Sequence, residues 1–197
     1  MMARARPTMA ADDPTDLRFG RLLVATLLIG DPNFDRSVVL LLDHDDAGSV
    51  GVVLNRPTEL AVSIALPDWG EVADEPAVLF EGGPVQANNV LALGRAGESG
   101  PRNGWAPLSS GLGTIDLTLP PDAIGGEVSA LRLFSGYAGW GPGQLEAEVE
   151  GGAWWVFDAE PDDPFSDEPA ELWWKVVGRQ GPAYRIYQQA PPDLSVN

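Results

Sequence analysis

The chain carries a single imidazole, His44, and it stands in the acidic run Asp43-His44-Asp45-Asp46. An imidazole among carboxylates can do two kinds of chemistry: relay a proton from a serine nucleophile, or help to hold a hard cation. A relay here would draw its serine from Ser37 or Ser135 and its carboxylate from Asp31, Asp43 or Asp45. Neither serine sits in a G-x-S-x-G elbow. Ser37 and His44 flank one extended run seven residues long, which separates them by about 23 Å. The hydrolytic alternative therefore reduces to Asp31, His44 and Arg56 converging in one concave pocket. For a metal, four consecutive strand residues alternate faces and cannot converge. The run also lacks the distal glutamate of an EF-hand. It reads as a solvated acidic turn, and no metal is expected.

A second pattern, GYAGWGPGQLE, sets Gly136, Gly139, Gly141 and Gly143 ahead of an expected helix start, where free amides favour anions. The dinucleotide fingerprint fails because Glu146 occupies its third glycine position, and the P-loop fails because no Lys-Ser/Thr follows. Ten acidic residues and no basic one lie between Arg132 and Lys175, so phosphate would be repelled. The glycines are read as letting Tyr137 and Trp140 pack closely, with Glu146 capping or complementing the helix start. No cofactor is expected. The third feature is Arg56, between Asn55 and Pro57. Pro57 holds it in extended backbone. A guanidinium beside a continuous apolar run is costly to bury unpaired. Arg56 is therefore expected at the mouth of a surface groove, paired with an acidic residue or with backbone of the GGP or GYAGW segments.

The elements that must position these residues are legible in part. SVVLLLD at 37–43 and SVGVVLN at 49–55 flank Asp45-Asp46-Ala47-Gly48 and form a hairpin. Both arms are nearly continuously apolar, which implies cover on both faces. A short helix is expected at Ala61–Leu66, and strands at 77–85 and 88–95 around a Gly82-Gly83-Pro84 turn. Further strands follow at 113–119, 129–140 and 153–158, with helices at 144–150 and 167–177. Ser166 is expected to cap the last helix and Gly178 to end it. Its Leu172, Trp173, Val176 and Val177 share one face, and Trp174 falls about 100° from Trp173, at the core margin. Strands and helices intermingle without regular βαβ alternation, which favours α+β.

Composition bounds the partners. The 197 residues suit one domain. It is expected over 17–190, between flexible segments at 1–16 and 191–197. With no cysteine, disulfides, thiolate catalysis, Cys-ligated zinc and iron–sulfur clusters are excluded. The net charge of −17 argues against binding a polyanion, and residues 17–145 alone carry 7 basic against 15 acidic side chains. Direct DNA recognition is not expected. The longest apolar stretch, Leu22–Ile29, is less than half a membrane span. No secretory signal is read at the start, so the cytoplasm is the expected compartment and no membrane contact is foreseen.

The blocks GRLLVAT at 20–26, DPNFDRSVVLLLDH at 31–44, GVVLNRP at 51–57, EGGPV at 81–85 and FSGYAGWGPGQLEAE at 134–148 resemble the AlgH/YqgE family. The resemblance implies a single α+β domain with a mixed, partly barrel-like β-sheet flanked by helices. It also implies a regulatory association with transcription rather than a defined chemistry. Its blocks hold a candidate binding surface: Asp31, Phe34, Asn55, Arg56, Gly82, Gly83, Tyr137, Trp140 and Gln144. Arg56 is the best anion or carboxylate clamp among them. Two positions depart from the pattern: Leu27 replaces a usual proline, and Gly94 stands where many members carry a histidine. A non-enzymatic module contacting a protein or small molecule is the leading expectation.

Overall fold

The run Val38–Leu42 is buried at every position. A strand can achieve that only if both of its faces are covered. The computed structural model shows how, for residues 16–189 apart from positions 99, 102, 110 and 125. The expected flexible ends lie outside the described residues, Asp16 excepted. β1 (Arg21–Ala25), β2 (Val38–Asp45) and β3 (Gly48–Val53) form an antiparallel ladder. On one face Leu22, Val24, Val38, Leu40 and Leu42 join a core cluster; on the other Leu23, Ala25, Val39 and Leu41 join a second. The period of two sends alternate residues of one apolar run into two separate cores.

β4 (Pro57–Ala61) leaves the hairpin and pairs with β5 (Val78–Glu81), after the short α1 (Val62–Ala65) and a 3-10 turn at Pro67–Trp69. β6 (Val85–Ala96), β7 (Trp105–Ser109) and β8 (Leu112–Ile115) follow, then α2 (Pro121–Ile124). β9 (Val128–Trp140) is the spine. One of its edges takes β6; the other takes β5, in parallel, and then β3. β10 (Trp154–Asp158) closes back on β1. The strand order is β10-β1-β2-β3-β9-β6-β8-β7, with the β4–β5 pair attached through β9. The result is the expected α+β domain, a curled, mixed half-barrel sheet flanked by helices.

α3 (Gln144–Glu150) covers the second core with Leu145, and α4 (Leu172–Arg179) covers the first with Leu172, Trp173, Val176 and Val177. Each such side chain contributes about 1.5–3 kcal/mol on burial. The Trp173 indole N–H donates to the Ala25 carbonyl at 2.9 Å and fixes α4 across β1. The last helix departs from the sequence reading at both ends. A 3-10 turn at Pro169–Glu171 precedes α4, Glu171 takes the cap position without a side-chain bond, and the helix runs through Gly178 to Arg179. Proline in the first turn favours the tight opening, and burial of Val176 and Val177 outweighs the cost of a helical glycine. α5 (Pro182–Arg185) and a 3-10 turn at Ile186–Gln189 complete the described chain. No described helix is long and apolar enough to cross a membrane.

Candidate functional site

The segment Asp31–Ser37 links β1 to β2, and three side chains set its shape. Asp31 is exposed and accepts the Asn33 amide at 2.8 Å, starting a 3-10 turn at Pro32–Phe34. Phe34 turns inward, stacked on Trp140 at 6.1 Å and edge-on to Trp154 at 5.4 Å. Asn55, at the end of the opposing strand, clamps the segment's return: its carbonyl oxygen accepts the Val38 amide at 2.9 Å, and its amide donates to the Arg36 carbonyl at 2.8 Å. The clamp holds Arg36 at φ 48°, a left-handed conformation rarely taken by a long side chain.

Arg56 follows directly. Its Nη2 donates to the Asp35 carbonyl at 3.1 Å and to the Ser37 hydroxyl at 3.3 Å. It does stand at a surface groove, but its partners differ from those expected from the sequence. Just before the GGP segment the chain meets its backbone, where the Glu81 amide donates to the Arg56 carbonyl at 2.8 Å. The β2–β3 register, with Val39 opposite Val53, sets Ser37 beside Asn55 and Arg56, and the 3-10 turn at Pro32–Phe34 places Asp35 next to it. The groove is a cleft of about 320 Å³ walled by Asp35, Arg36, Asn55, Arg56 and Trp174, together with Pro32 and Ala170. Arg36 is 8% exposed. Its guanidinium carbon lies 5.7 Å from the Trp174 ring centre, and Nη1 is 3.7 Å from the Asp35 carboxylate.

The other candidates gather elsewhere. Trp140 and Trp154 both donate their indole N–H to Glu148 Oε2, at 2.9 and 2.8 Å, and Gln144 donates to Glu148 Oε1 at 2.9 Å. With Phe34 they form an aromatic knot around one carboxylate on the α3 side of the sheet. Gly82 and Gly83 lie against β9. A Cβ on the first would collide with the Gly136 carbonyl oxygen, and on the second with the Tyr137 backbone. Tyr137 packs half-buried against the first core. The nine candidates thus divide among a cleft, an aromatic knot and a backbone crossing, with Asp31 on the turn between the first two.

His44 sits at the far end of β2 from Arg56. Its Nδ1 is 2.8 Å from the Ser49 hydroxyl, and its Nε2 is 4.0 Å from Glu146 Oε1. Ser49 faces His44 in the hairpin register and is 3% exposed. Ser37 contacts Arg56 instead, and Ser135 donates to the Ala87 carbonyl. Asp31, His44 and Arg56 do not share a pocket; the cleft at Arg56 includes neither of the others. Glu146 lies in the first turn of α3 but does not cap it, since Gly143 holds that position at φ 71°. The acidic turn closes on itself: Asp43 accepts the His44 amide and Asp45 the Ala47 amide. Among the described residues no three His, Asp or Glu side chains gather as metal ligands.

Sequence reasoning missed Asp35, Arg36 and Glu148. The positive φ at Arg36 has no sequence signal. Glu148 could have been found from its spacing, four residues after Gln144 on one helix face. Gly94 lies on β6 opposite Gly113 of β8, where a Cβ would stand 2.9 Å from Ile115 and 3.0 Å from Trp105. A larger side chain at that position would require both neighbours to move.

Comparison with known proteins agrees with this architecture. The sequence profile described as AlgH-like matches residues 22–185. The UPF0301 protein of Streptomyces coelicolor is 49% identical over 183 residues, covering 90% of this chain and 94% of the other. That of Mycobacterium marinum is 38% identical over 197 residues, covering 94% and 98%. A crystal structure of a Corynebacterium diphtheriae protein superposes with a TM-score of 0.82 at 30% identity, covering 92% of this chain and 95% of that one. The solution structure of the AlgH protein from Pseudomonas aeruginosa superposes at 0.65 with 28% identity, covering 98% and 100%. Matched along almost its whole length in sequence and in fold, the chain belongs to the AlgH-like family.

Proposed function

We propose that this protein is a non-enzymatic binding module of the cytoplasm, and that the cleft at Arg56 is its contact surface. One observation carries the reading: Arg36 and Arg56 converge with the Trp174 indole on one open cleft of a molecule whose net charge is −17. Arginine and tryptophan are the residue types that dominate contact energetics, and a planar guanidinium suits carboxylate or phosphoryl oxygens. Any effect on transcription runs through a protein partner, because the surrounding negative field opposes duplex DNA.

The hydrolytic alternative built on Asp31, His44 and Arg56 has no shared pocket; a hydrolytic reading could draw only on the Ser49–His44–Glu146 contacts at 2.8 and 4.0 Å. Against it, Ser49 is almost fully buried and presents no open face to a substrate. The two readings separate in a paired capture experiment. Immobilised wild-type protein, Arg56→Ala and His44→Ala are exposed to lysate, and retained proteins are compared by mass spectrometry. The binding reading expects a retained set that Arg56→Ala loses and His44→Ala keeps. Identical sets from wild type and Arg56→Ala would reject it.

A further inference from the structure

Basic side chains are scarce in this molecule, and six of the nine in the described residues stand within ion-pair distance of its own carboxylates. Arg21 pairs with Asp158, Arg95 with Asp162, Arg179 with Asp163 and Lys175 with Glu168. Arg56, like the buried Arg132, is not among them: the groups it bonds are a backbone carbonyl and a hydroxyl, both through Nη2. Its Nη1 and Nε make no bond among the described residues, and a carboxylate meets a guanidinium best through two parallel N–H donors. Beside it, Arg36 is nine-tenths buried and held in a left-handed conformation by the Asn55 clamp. Such strain persists only where the surroundings enforce it, and it concentrates at binding sites.

Two features define the occupant. The cleft is walled partly by the exposed Pro32, Asp35 and Ala170, so it lies open and does not engulf what it holds. Small-molecule sites enclose most of their ligand. An open cleft instead receives one side chain of a partner laid across the surface. The second feature is charge. A polyanion would gain two guanidinium groups and face repulsion from the rest of a −17 surface. A net-basic protein would be steered in by the same field.

We propose that the cleft receives one Asp or Glu carboxylate from a net-basic segment of a partner protein, clamped by Arg56 and Arg36, with an adjacent apolar side chain against Trp174. This rests on the reading of the cleft as the contact surface. The Asp35 carboxylate, 3.7 Å from Arg36, stands in for the partner's carboxylate in the free protein and competes with it.

The test uses two capped hexapeptides of sequence Lys-Arg-Glu-Leu-Lys-Arg and Lys-Arg-Gln-Leu-Lys-Arg, titrated into full-length labelled protein. The Trp174 indole and Arg56 Nε–H resonances report the cleft. The Glu peptide is expected to shift both, and the Gln peptide to bind about tenfold more weakly, the worth of a charge-assisted bond. Arg56→Ala is expected to abolish the shifts, Arg56→Lys to weaken them, and Asp35→Asn to strengthen binding severalfold. Equal affinity for the two peptides, shifts confined to acidic patches elsewhere, or tighter binding of a hexaglutamate or of duplex DNA would overturn the proposal. Its failure is separable from failure of the contact-surface reading. A silent titration beside a capture set lost in Arg56→Ala rejects the carboxylate alone. A capture set unaffected by Arg56→Ala rejects both.

Discussion

Glu148 shows how one side chain can hold several others in place. Its two oxygens accept from Trp140, Trp154 and Gln144, so that β9, β10 and α3 meet on one carboxylate. Glu148→Ala leaves two indole N–H groups without an acceptor and is expected to cost about 2–4 kcal/mol, read by urea unfolding. A loss within the scatter of ordinary surface substitutions would mean that water replaces the carboxylate. Asn55 is a second such residue. Val38 is fully buried, and its amide has the Asn55 side chain as acceptor. Asn55→Ala is expected to cost about 2–3 kcal/mol and to accelerate amide exchange across Asp31–Ser37. The place of Arg56 beside a groove was legible, because Pro57 ends the apolar run and a guanidinium cannot be left unpaired there. Its partners were not legible. The hairpin register sets Ser37 near Arg56, but the Asp35 carbonyl comes from a 3-10 turn whose shape no residue spacing reports.

Among the elements, β9 and the glycine pair against it decide the topology. β5 runs parallel to β9 from Leu79 to Glu81, and then the chain passes so close that Gly82 and Gly83 have no space for a Cβ. Gly83 also has φ 148°. Gly83→Ala is expected to lower stability by more than about 3 kcal/mol or to prevent folding, the cost of backbone collision combined with strain. Retained stability, measured by thermal unfolding, would contradict the assignment of this crossing as a fold determinant. The acidic segment after β10 is held by a different device. Asp163 is 5% exposed and receives both Nη groups of Arg179, while Arg132 donates to the Pro164 and Glu75 carbonyls. Burial pushes the Arg132 guanidinium down to about 10, against the pull of Asp74 and Asp167. The hairpin was readable because β-branched runs around a turn leave few alternatives. β4 was not, because four of its five residues are exposed and carry no alternation. β7 was hidden by Pro107, which marks an edge strand as readily as a loop.

For the whole molecule the governing quantity is charge. Twelve basic and 29 acidic residues leave a self-repelling surface. Raising sodium chloride from about 0.02 to about 0.5 M shortens the screening length to a few ångström. The melting temperature is therefore expected to rise, by about 2–4 °C for each kcal/mol of repulsion removed. A fall would show that the Arg-held acidic segment outweighs the long-range field. The sign of the charge was legible in the composition alone. The location of the exception was not, since Arg36, Arg56 and Trp174 are far apart in the chain and meet only when α4 docks across β1.

If the cleft is the contact surface, Arg56 is held for contact and not for folding, and equilibrium urea unfolding of Arg56→Ala tests that most directly. The Asp35 carbonyl it contacts is on an exposed residue that water can serve, and only the Ser37 hydroxyl is buried. The predicted loss is below about 1 kcal/mol, well short of that for Asn55→Ala in the same experiment. A loss equal to that of Asn55→Ala would make Arg56 part of the fold's own hydrogen bonding and would contradict the assignment of the cleft as the working surface.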